Sequence, residues 1–195
     1  MMDISQPPRN SSPSTSPGRD ECRADLALRL ARREGRTVLV ERRERGPLAV
    51  QKALYQESPE ICHVVIIHPP GGIAGGDKVS IGIEVEKNGY ALVTTSAATK
   101  WYKAAGRSSR QEIIIRLAKV QRLIGCRRRI SFSTLPCQSV FKLEVAPTAS
   151  AIGWDMALLG RQAFGEKWNQ GSIHSSTQVL RPDSTALWIE QASLD

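Results

Sequence analysis

Several features that would place a chain in a membrane or outside the cell are missing from this sequence. No apolar run approaches the ~20 residues that a membrane-spanning helix needs. The N-terminus shows no charged region followed by an apolar one, so no signal peptide is visible. The four cysteines, Cys22, Cys62, Cys126 and Cys137, form no C-x-x-C pair, which argues against a zinc knuckle and a disulfide framework. We therefore expect a cytoplasmic protein without a membrane partner.

Aromatic residues are also scarce, at 5% of the chain. The net charge of +8 would ordinarily suggest a nucleic-acid partner. However, the basic residues are scattered, and no ladder of aromatic side chains accompanies them for stacking on single-stranded bases. We therefore read them as solvated faces and expect no nucleic-acid partner.

The length of 195 residues allows one hydrophobic core. Residues 1–22 are rich in Ser and Pro with almost nothing to bury, which predicts a disordered tail. From residue 23 the pattern changes to alternating apolar and polar residues. The predicted organisation is a disordered tail (1–22) followed by a single domain (23–195).

Short strand-like runs separated by Gly and Pro dominate this domain. They cover residues 25–31, 37–40, 48–51, 63–67, 79–85, 90–96, 111–117, 140–145, 151–159 and 186–189. Residues 24–34 could also form a short helix, and residues 151–159 could be strand or helix, although their period favours a strand. Lys87-Asn88-Gly89 predicts a hairpin turn before the strand at 90–96. So many short strands at even spacing predict an all-β fold.

The most unusual stretch is H-P-P-G-G-I-A-G-G-D, residues 68–77, which lies between two predicted strands. Its prolines fix φ and remove two donors, and its glycines permit positive φ, which we expect Gly72 and Gly76 to need. The residues of this signature loop are His68, Pro69, Pro70, Gly71, Gly72, Gly75, Gly76 and Asp77. A phosphate-binding loop would need a helix N-terminus behind it, whereas a strand follows here. The alternatives left open are a functional loop and a wide turn in which Asp77 caps its own backbone.

Three stretches resemble the urease accessory protein family UreD, also called UreH. They are G-P-L-A-V-Q (46–51), C-H-V-V-I-I-H-P-P-G-G-I-A-G-G-D (62–77) and A-L-V-T-T-S-A-A-T-K-W-Y-K (91–103). A later motif, G-W-D (153–155) followed by L-G-R (159–161), is similar to the same family. The residues that match family motifs outside the loop are Thr94, Thr95, Thr99, Lys100, Tyr102, Trp154, Gly160 and Arg161.

The resemblance implies a non-enzymatic scaffold for urease maturation. A UreD protein contacts apo-urease, binds UreF and through UreF recruits the GTPase UreG, so that nickel reaches the urease active site. The implied fold is mostly β, with strands stacked in a helicoidal arrangement. No tightly bound cofactor is expected, and nickel would be handled transiently. The rival hypotheses are a nucleotide-binding enzyme that uses the glycine loop and a stand-alone nickel-binding protein.

Four residues near the loop have side chains that nickel accepts: Cys62, His63, His68 and Asp77. On a strand at 63–67, His63 and His68 would point to opposite sides, which argues against one tight site using both. We therefore expect a weak polar route for nickel, since transfer requires release. Hydrogen-bonding roles for the two histidines, and packing roles for the threonines and Lys100, remain the alternatives.

The sequence departs from the family pattern in two places. Family members continue for a substantial portion after the position that corresponds to Asp195. Residues 124–133 read I-G-C-R-R-R-I-S-F-S, where the family shows a segment like W-L-P-Q-E-N-I. One permitted codon spelling of this segment, read two bases later, gives Trp-Leu-Pro-Gln-Glu-Asn-Ile, so we infer a pair of compensating frameshifts. Because burying unpaired arginines is costly, we expect this segment to loop out or disrupt neighbouring strand pairs, and the chain to aggregate or to need UreF.

Overall fold

A computed structural model describes residues 21–102, 107–118, 137–160, 165, 168 and 171–194, together with the backbone of residues 122–131. Nearly all of the predicted N-terminal tail (1–22) therefore lies outside the described residues. Within these ranges the structure contains strands and no helix, which confirms the all-β fold.

Fourteen strands occupy the described residues. They are β1 (Arg23–Arg33), β2 (Arg36–Arg45), β3 (Ala49–Val50), β4 (Ile61–Ile67), β5 (Gly72–Ile73), β6 (Lys78–Val85), β7 (Tyr90–Thr95), β8 (Thr99–Trp101), β9 (Ser109–Leu117), β10 (Arg122–Ser131), β11 (Cys137–Val145), β12 (Ser150–Leu159), β13 (Ile173–Leu180) and β14 (Ala186–Leu194). Residues 24–34, for which a short helix was the alternative, thus form most of β1. A turn through Glu34 and Gly35, both at positive φ, connects β1 to β2.

The strands form two sheets that pack face to face. Sheet A has the order β14-β13-β11-β9-β6-β1-β2, and its pairs are parallel except at the two ends, β1–β2 and β13–β14. In sheet B the parallel strands β4, β7, β10 and β12 lie side by side. The short strands β5 and β8 continue this sheet beyond the ends of β4 and β7.

The chain alternates between the sheets from β6 to β13, so that each pass adds one strand to each sheet beside the previous one. This is the stacked, helicoidal arrangement that the family resemblance implies. It also corrects the hairpin predicted at Lys87-Asn88-Gly89. Asn88 does have a positive φ of 62°, but β6 and β7 belong to different sheets. The turn therefore connects two layers and does not pair two neighbouring strands.

The arginine-rich segment is also incorporated as a strand. The backbone of β10 pairs with β7 in its first half, with β8 in its second half and with β12 along its whole length. The expectation that residues 124–133 loop out or disrupt their neighbours is therefore wrong for the paired residues up to Ser131. The physical reason is that sheet pairing uses backbone N–H and C=O groups, which every non-proline residue supplies.

The hydrophobic core fills the space between the sheets. Its members come from the inward-facing positions of strands in both sheets, such as Leu26 and Leu30 of β1, Val64 of β4 and Ile81 of β6. On the β2 side the two layers are joined by Thr37, which is fully buried. The Thr37 hydroxyl accepts a hydrogen bond from the Tyr90 backbone N–H at 3.0 Å. The sandwich is therefore closed on this side.

On the other side, the space between the sheets widens into a cavity of about 910 Å³ that reaches β12 and β14. Trp154 of β12 and Trp188 of β14 both line this cavity and are 50% and 51% exposed. In the part of the chain that the structure describes, no further strand covers the β12 and β14 side. Among the described residues, no helix is long and apolar enough to span a membrane.

Candidate interaction site around the glycine-rich loop

Two interruptions in sheet B lie side by side. They bring together the stretch that contains the signature loop (62–77) and the second signature stretch (91–103). The chain leaves β4 at His68 and resumes as β5, and it leaves β7 at Ser96 and resumes as β8. The Ser96 N–H donates to the Ile66 carbonyl at 3.2 Å, and β5 then pairs with β8 in parallel. Segments about thirty residues apart in sequence therefore form one continuous structural unit.

The exposed tip of this unit is a tight turn. The Gly71 N–H donates to the His68 carbonyl at 2.8 Å, which closes a four-residue turn with Pro69 and Pro70 at its centre. Both prolines are exposed. Gly71 follows at a φ of +71°, a conformation that glycine adopts without steric cost.

The glycines of the loop have two different structural roles. Gly76 has a φ of +92°, so the expected need for positive φ is confirmed there. Gly72 does not have a positive φ, and the expectation was wrong at this position. A Cβ on Gly72 would lie 2.4 Å from Tyr102 Cε2 and 2.7 Å from the Lys100 carbonyl oxygen. Gly72 is therefore required by close packing between β5 and the segment that follows β8.

Asp77 fixes the end of the loop. Its buried carboxylate accepts hydrogen bonds from the backbone N–H of Ala74 at 2.8 Å and of Cys22 at 3.1 Å. Capping by Asp77 is thus observed, and it does not decide between a functional loop and a wide turn. The carboxylate joins the loop to the start of the described chain, just before β1.

Four backbone N–H groups of the loop are already used within the protein and are not free to bind an anion. Those of Gly71, Ala74, Gly76 and Asp77 all donate to protein oxygens. The residues after Asp77 form β6, so no helix N-terminus faces the loop. The structure therefore gives no support to the nucleotide-binding hypothesis.

Cys62 and His63 are both buried on β4, but successive residues of a strand face opposite sides of the sheet. Cys62 belongs to the core, where burial raises the pKa of its thiol, partly offset by a hydrogen bond from Tyr55. A raised pKa keeps the sulfur protonated and makes it a poor metal ligand. His63 Nε2 instead contacts the Glu57 carboxylate in the segment before β4.

His68 is the one of the four candidate ligands that lines the interlayer cavity. Burial lowers the pKa of its imidazole, an effect partly opposed by the charge of Asp77. The neutral imidazole is the form that binds metals. Within the described residues, no group of three or more His, Cys, Asp or Glu side chains is arranged to hold a metal ion. His68 thus borders the cavity, whereas Cys62 lies in the hydrophobic core and His63 contacts Glu57.

The threonines of the second signature stretch also border the cavity. Thr94, Thr95 and Thr99 line it, and the Thr95 hydroxyl donates to the Ala97 carbonyl at 2.9 Å. Lys100 lies on β8, in register with Gly72 of β5. The three threonines therefore line the same cavity as His68.

The later family motif lies at the opposite edge of sheet B. Trp154 is on β12, and Gly160 follows that strand at a φ of +74°. Arg161 lies outside the described residues. The structure therefore does not bring Trp154 or Gly160 into the glycine loop.

Sequence reasoning missed a row of polar residues on the cavity floor. Gln111, Ser139 and Ser175 stand in direct register on β9, β11 and β13, and all three line the cavity. Gln111 and Ser139 are only 5% and 2% exposed. Gln111 Oε1 and Ser139 Oγ have no hydrogen-bond partner among the described residues. The sequence feature that could have revealed this row is Gln111. It is a polar residue at an inward position of a predicted strand, and the next inward residues of that strand are isoleucines.

Comparison with known proteins agrees with this architecture. The model of the family "UreD urease accessory protein" matches residues 22–195. Proteins named urease accessory protein UreD from Ralstonia nicotianae and Cupriavidus metallidurans are 49% and 48% identical over 173 residues. The corresponding protein of Bordetella pertussis is 41% identical over 183 residues. These matches cover 88% of this chain but only 58–61% of the relatives' length.

The layered all-β fold, its two signature stretches and these matches together define the class as the urease accessory proteins. The family match over nearly the whole described chain and the identities of 41–49% make the assignment specific: the chain belongs to the UreD family.

Proposed function

We propose that this chain is a non-catalytic, cytoplasmic scaffold in urease maturation. It would bind apo-urease and UreF, recruit UreG through UreF, and allow nickel to pass to the urease active site without binding it tightly. The observation that carries the proposal is the packing of the two signature stretches into one unit with an exposed tip. Such a unit is suited to contact a partner protein because its exposed shape is fixed by buried glycine and aspartate contacts.

The polar cavity supports the nickel part of the proposal. A hydrated cation carries water molecules that can donate hydrogen bonds to neutral oxygens, and the buried oxygens of Gln111 and Ser139 on the cavity floor could accept them. His68 provides a neutral imidazole at the cavity wall. Neutral single ligands bind a divalent ion weakly and release it, which is what transfer requires.

The scaffold role is tested by co-expressing the chain with the urease subunits, UreF and UreG in a host that lacks its own UreD protein. The variant combining Gly72→Val and Gly76→Val is expected to lose the complex in a pull-down and to leave urease inactive. The variant Pro70→Asp changes only the exposed tip and should weaken the complex with the thermal melt unchanged. Gly82→Ala is the matched control, because its added Cβ would lie 4.0 Å from the nearest atom. Full activation by the double variant would show that the loop is only a connector.

The nickel route is tested separately with Gln111→Leu combined with Ser139→Ala. We expect the complex to form normally while urease activation falls. Unchanged activation would contradict the route and leave the scaffold role intact.

The rival hypotheses have their own measurements. Micromolar binding of GTP or ATP to this chain alone, measured by isothermal titration, would favour a nucleotide-dependent enzyme. Several tightly held nickel ions per chain in equilibrium dialysis would favour a nickel store.

A further inference from the structure

The outer face of sheet A carries three basic side chains side by side, which we call the basic row. Arg23 of β1, Lys78 of β6 and Arg110 of β9 stand in direct register on three neighbouring parallel strands. The residue that follows each of them is buried, so the three basic side chains point outward. Their side chains are 65%, 68% and 47% exposed, and the Lys78 ammonium lies 3.7 Å from a carboxylate oxygen of Glu21.

The charges of this row repel one another, because neighbouring strands are only ~4.8 Å apart. Two acidic side chains of the same face offset the repulsion. Asp25 contacts Arg23 at 3.0 Å, and Glu112 contacts Arg110 at 3.2 Å. These carboxylates are 30% and 36% exposed, so the arginine is the more exposed member of each pair. The outermost groups of the surface are therefore basic.

The same contacts orient the two guanidinium groups without using all their donors. Arg23 donates to Asp25 through Nε alone. Arg110 donates through Nη1 to Gln138 Oε1 at 3.1 Å and through Nη2 to Glu112 at 3.2 Å. Because a guanidinium has five N–H donors in a fixed plane, each arginine is held in a position from which it can bind a second carboxylate.

The basic row lies next to the signature loop. Lys78 directly follows Asp77, the last residue of the loop, and the Asp77 carbonyl accepts the Arg110 N–H at 3.0 Å. Strands β1, β6 and β9 each have a described strand on both sides, so the row belongs to the face of the sheet and not to an edge.

From this geometry we infer that the basic row is a docking surface for an acidic helix of a partner protein. Side chains three and four residues apart on a helix are separated by ~5–6 Å, which is close to the ~4.8 Å between neighbouring strands. A helix that crosses the strands can therefore place one carboxylate opposite each member of the row. The inference goes beyond the scaffold role and does not depend on it.

Two other occupants complement the row less well. Residues 1–20 of this chain contain two acidic residues, Asp3 and Asp20, and two basic residues, Arg9 and Arg19, so this segment has no net charge. A nucleic acid binds through many phosphate contacts at physiological salt, whereas the row spans only ~10 Å.

Binding of model peptides to the full chain tests the inference. The probe is an alanine-rich helical peptide with glutamate at every third or fourth position, and the same peptide with glutamine is the control ligand. We expect fluorescence anisotropy to show saturable binding of the glutamate peptide that weakens as salt is added. Equal binding of the two peptides would refute the inference.

A charge reversal locates the binding surface. Lys78→Glu combined with Arg110→Glu should weaken binding of the glutamate peptide roughly tenfold and allow the corresponding lysine peptide to bind. The matched control combines Lys52→Glu with Lys87→Glu, which changes the net charge equally at two exposed residues away from the row. Equal weakening by the two double variants would show attraction by overall charge alone and overturn the inference.

Three further measurements complete the test. If the charge reversal lowers the Tm, Lys78→Gln combined with Arg110→Gln removes the two charges without reversing them and should still weaken binding. Double-stranded DNA should bind more weakly than the glutamate peptide at the same salt concentration, and the opposite order would favour a nucleic-acid surface. Deleting residues 1–20 should leave peptide binding unchanged. Tighter binding after the deletion would identify this segment as the occupant of the row.

Discussion

Replacing Gly72 by alanine should destabilise the fold even though its backbone conformation is one that alanine can adopt. The added Cβ would lie 2.4 Å from Tyr102 Cε2 and 2.7 Å from the Lys100 carbonyl oxygen. The tyrosine ring can rotate away, but the carbonyl belongs to β8, which pairs with β5 at this point. Overpacking of this kind costs ~1–3 kcal/mol. For a chain of this size that is a drop in Tm of roughly 2–12 °C.

A double-mutant cycle separates the two contacts. In a Tyr102→Ala background the shorter contact is absent, so Gly72→Ala should cost less than it does in the wild-type background. The remaining cost reports the contact with the Lys100 carbonyl. Thermal melts followed by circular dichroism give all four values.

Gly82→Ala provides the control for replacing a glycine within a strand. Its Cβ would lie 4.0 Å from the Leu26 carbonyl oxygen, an ordinary van der Waals distance. Because glycine weakens strands through its backbone entropy, this change should be neutral or stabilising by up to ~1 kcal/mol. Equal destabilisation by Gly72→Ala and Gly82→Ala, or no effect of Gly72→Ala at all, would refute the packing argument.

Three further changes test other contacts. Thr37→Val removes the hydroxyl that accepts the Tyr90 N–H between the sheets and should cost ~1–3 kcal/mol in urea unfolding; an unchanged midpoint would contradict this role. Asp77→Ala removes the acceptor of two backbone N–H groups and should cost more than Asp77→Asn, which keeps one acceptor oxygen; the reverse order in thermal melts would be inconsistent with capping. His68 makes stability fall as the pH drops through its ordinary pKa of 6.5, because its pKa is lowered in the folded state and unfolding therefore takes up a proton. His68→Gln should remove this component from Tm measured between pH 5 and 8, and identical profiles for the two proteins would argue against it.

Much of this protein follows from the sequence alone. The alternation around Leu26, Ile81 and Ile113 determines which residues are strands and which faces are buried, because side chains along a strand alternate between the two faces. The glycines and prolines between His68 and Asp77 determine that a turn with special backbone geometry interrupts the strands there. The same residues, read as a motif, identify the family.

The tertiary structure decided which strands pair and what the loop contacts. The turn at Asn88 has the same local chemistry whether it joins neighbouring strands or two layers, so only packing assigned β6 and β7 to different sheets. The role of Gly72 depends on Tyr102, thirty residues away, and could not be read from the local preference of glycine for positive φ. The backbone of β10 pairs despite its four arginines because sheet hydrogen bonds do not depend on side-chain identity. The row formed by Gln111, Ser139 and Ser175 exists only because long-range register aligns three strands.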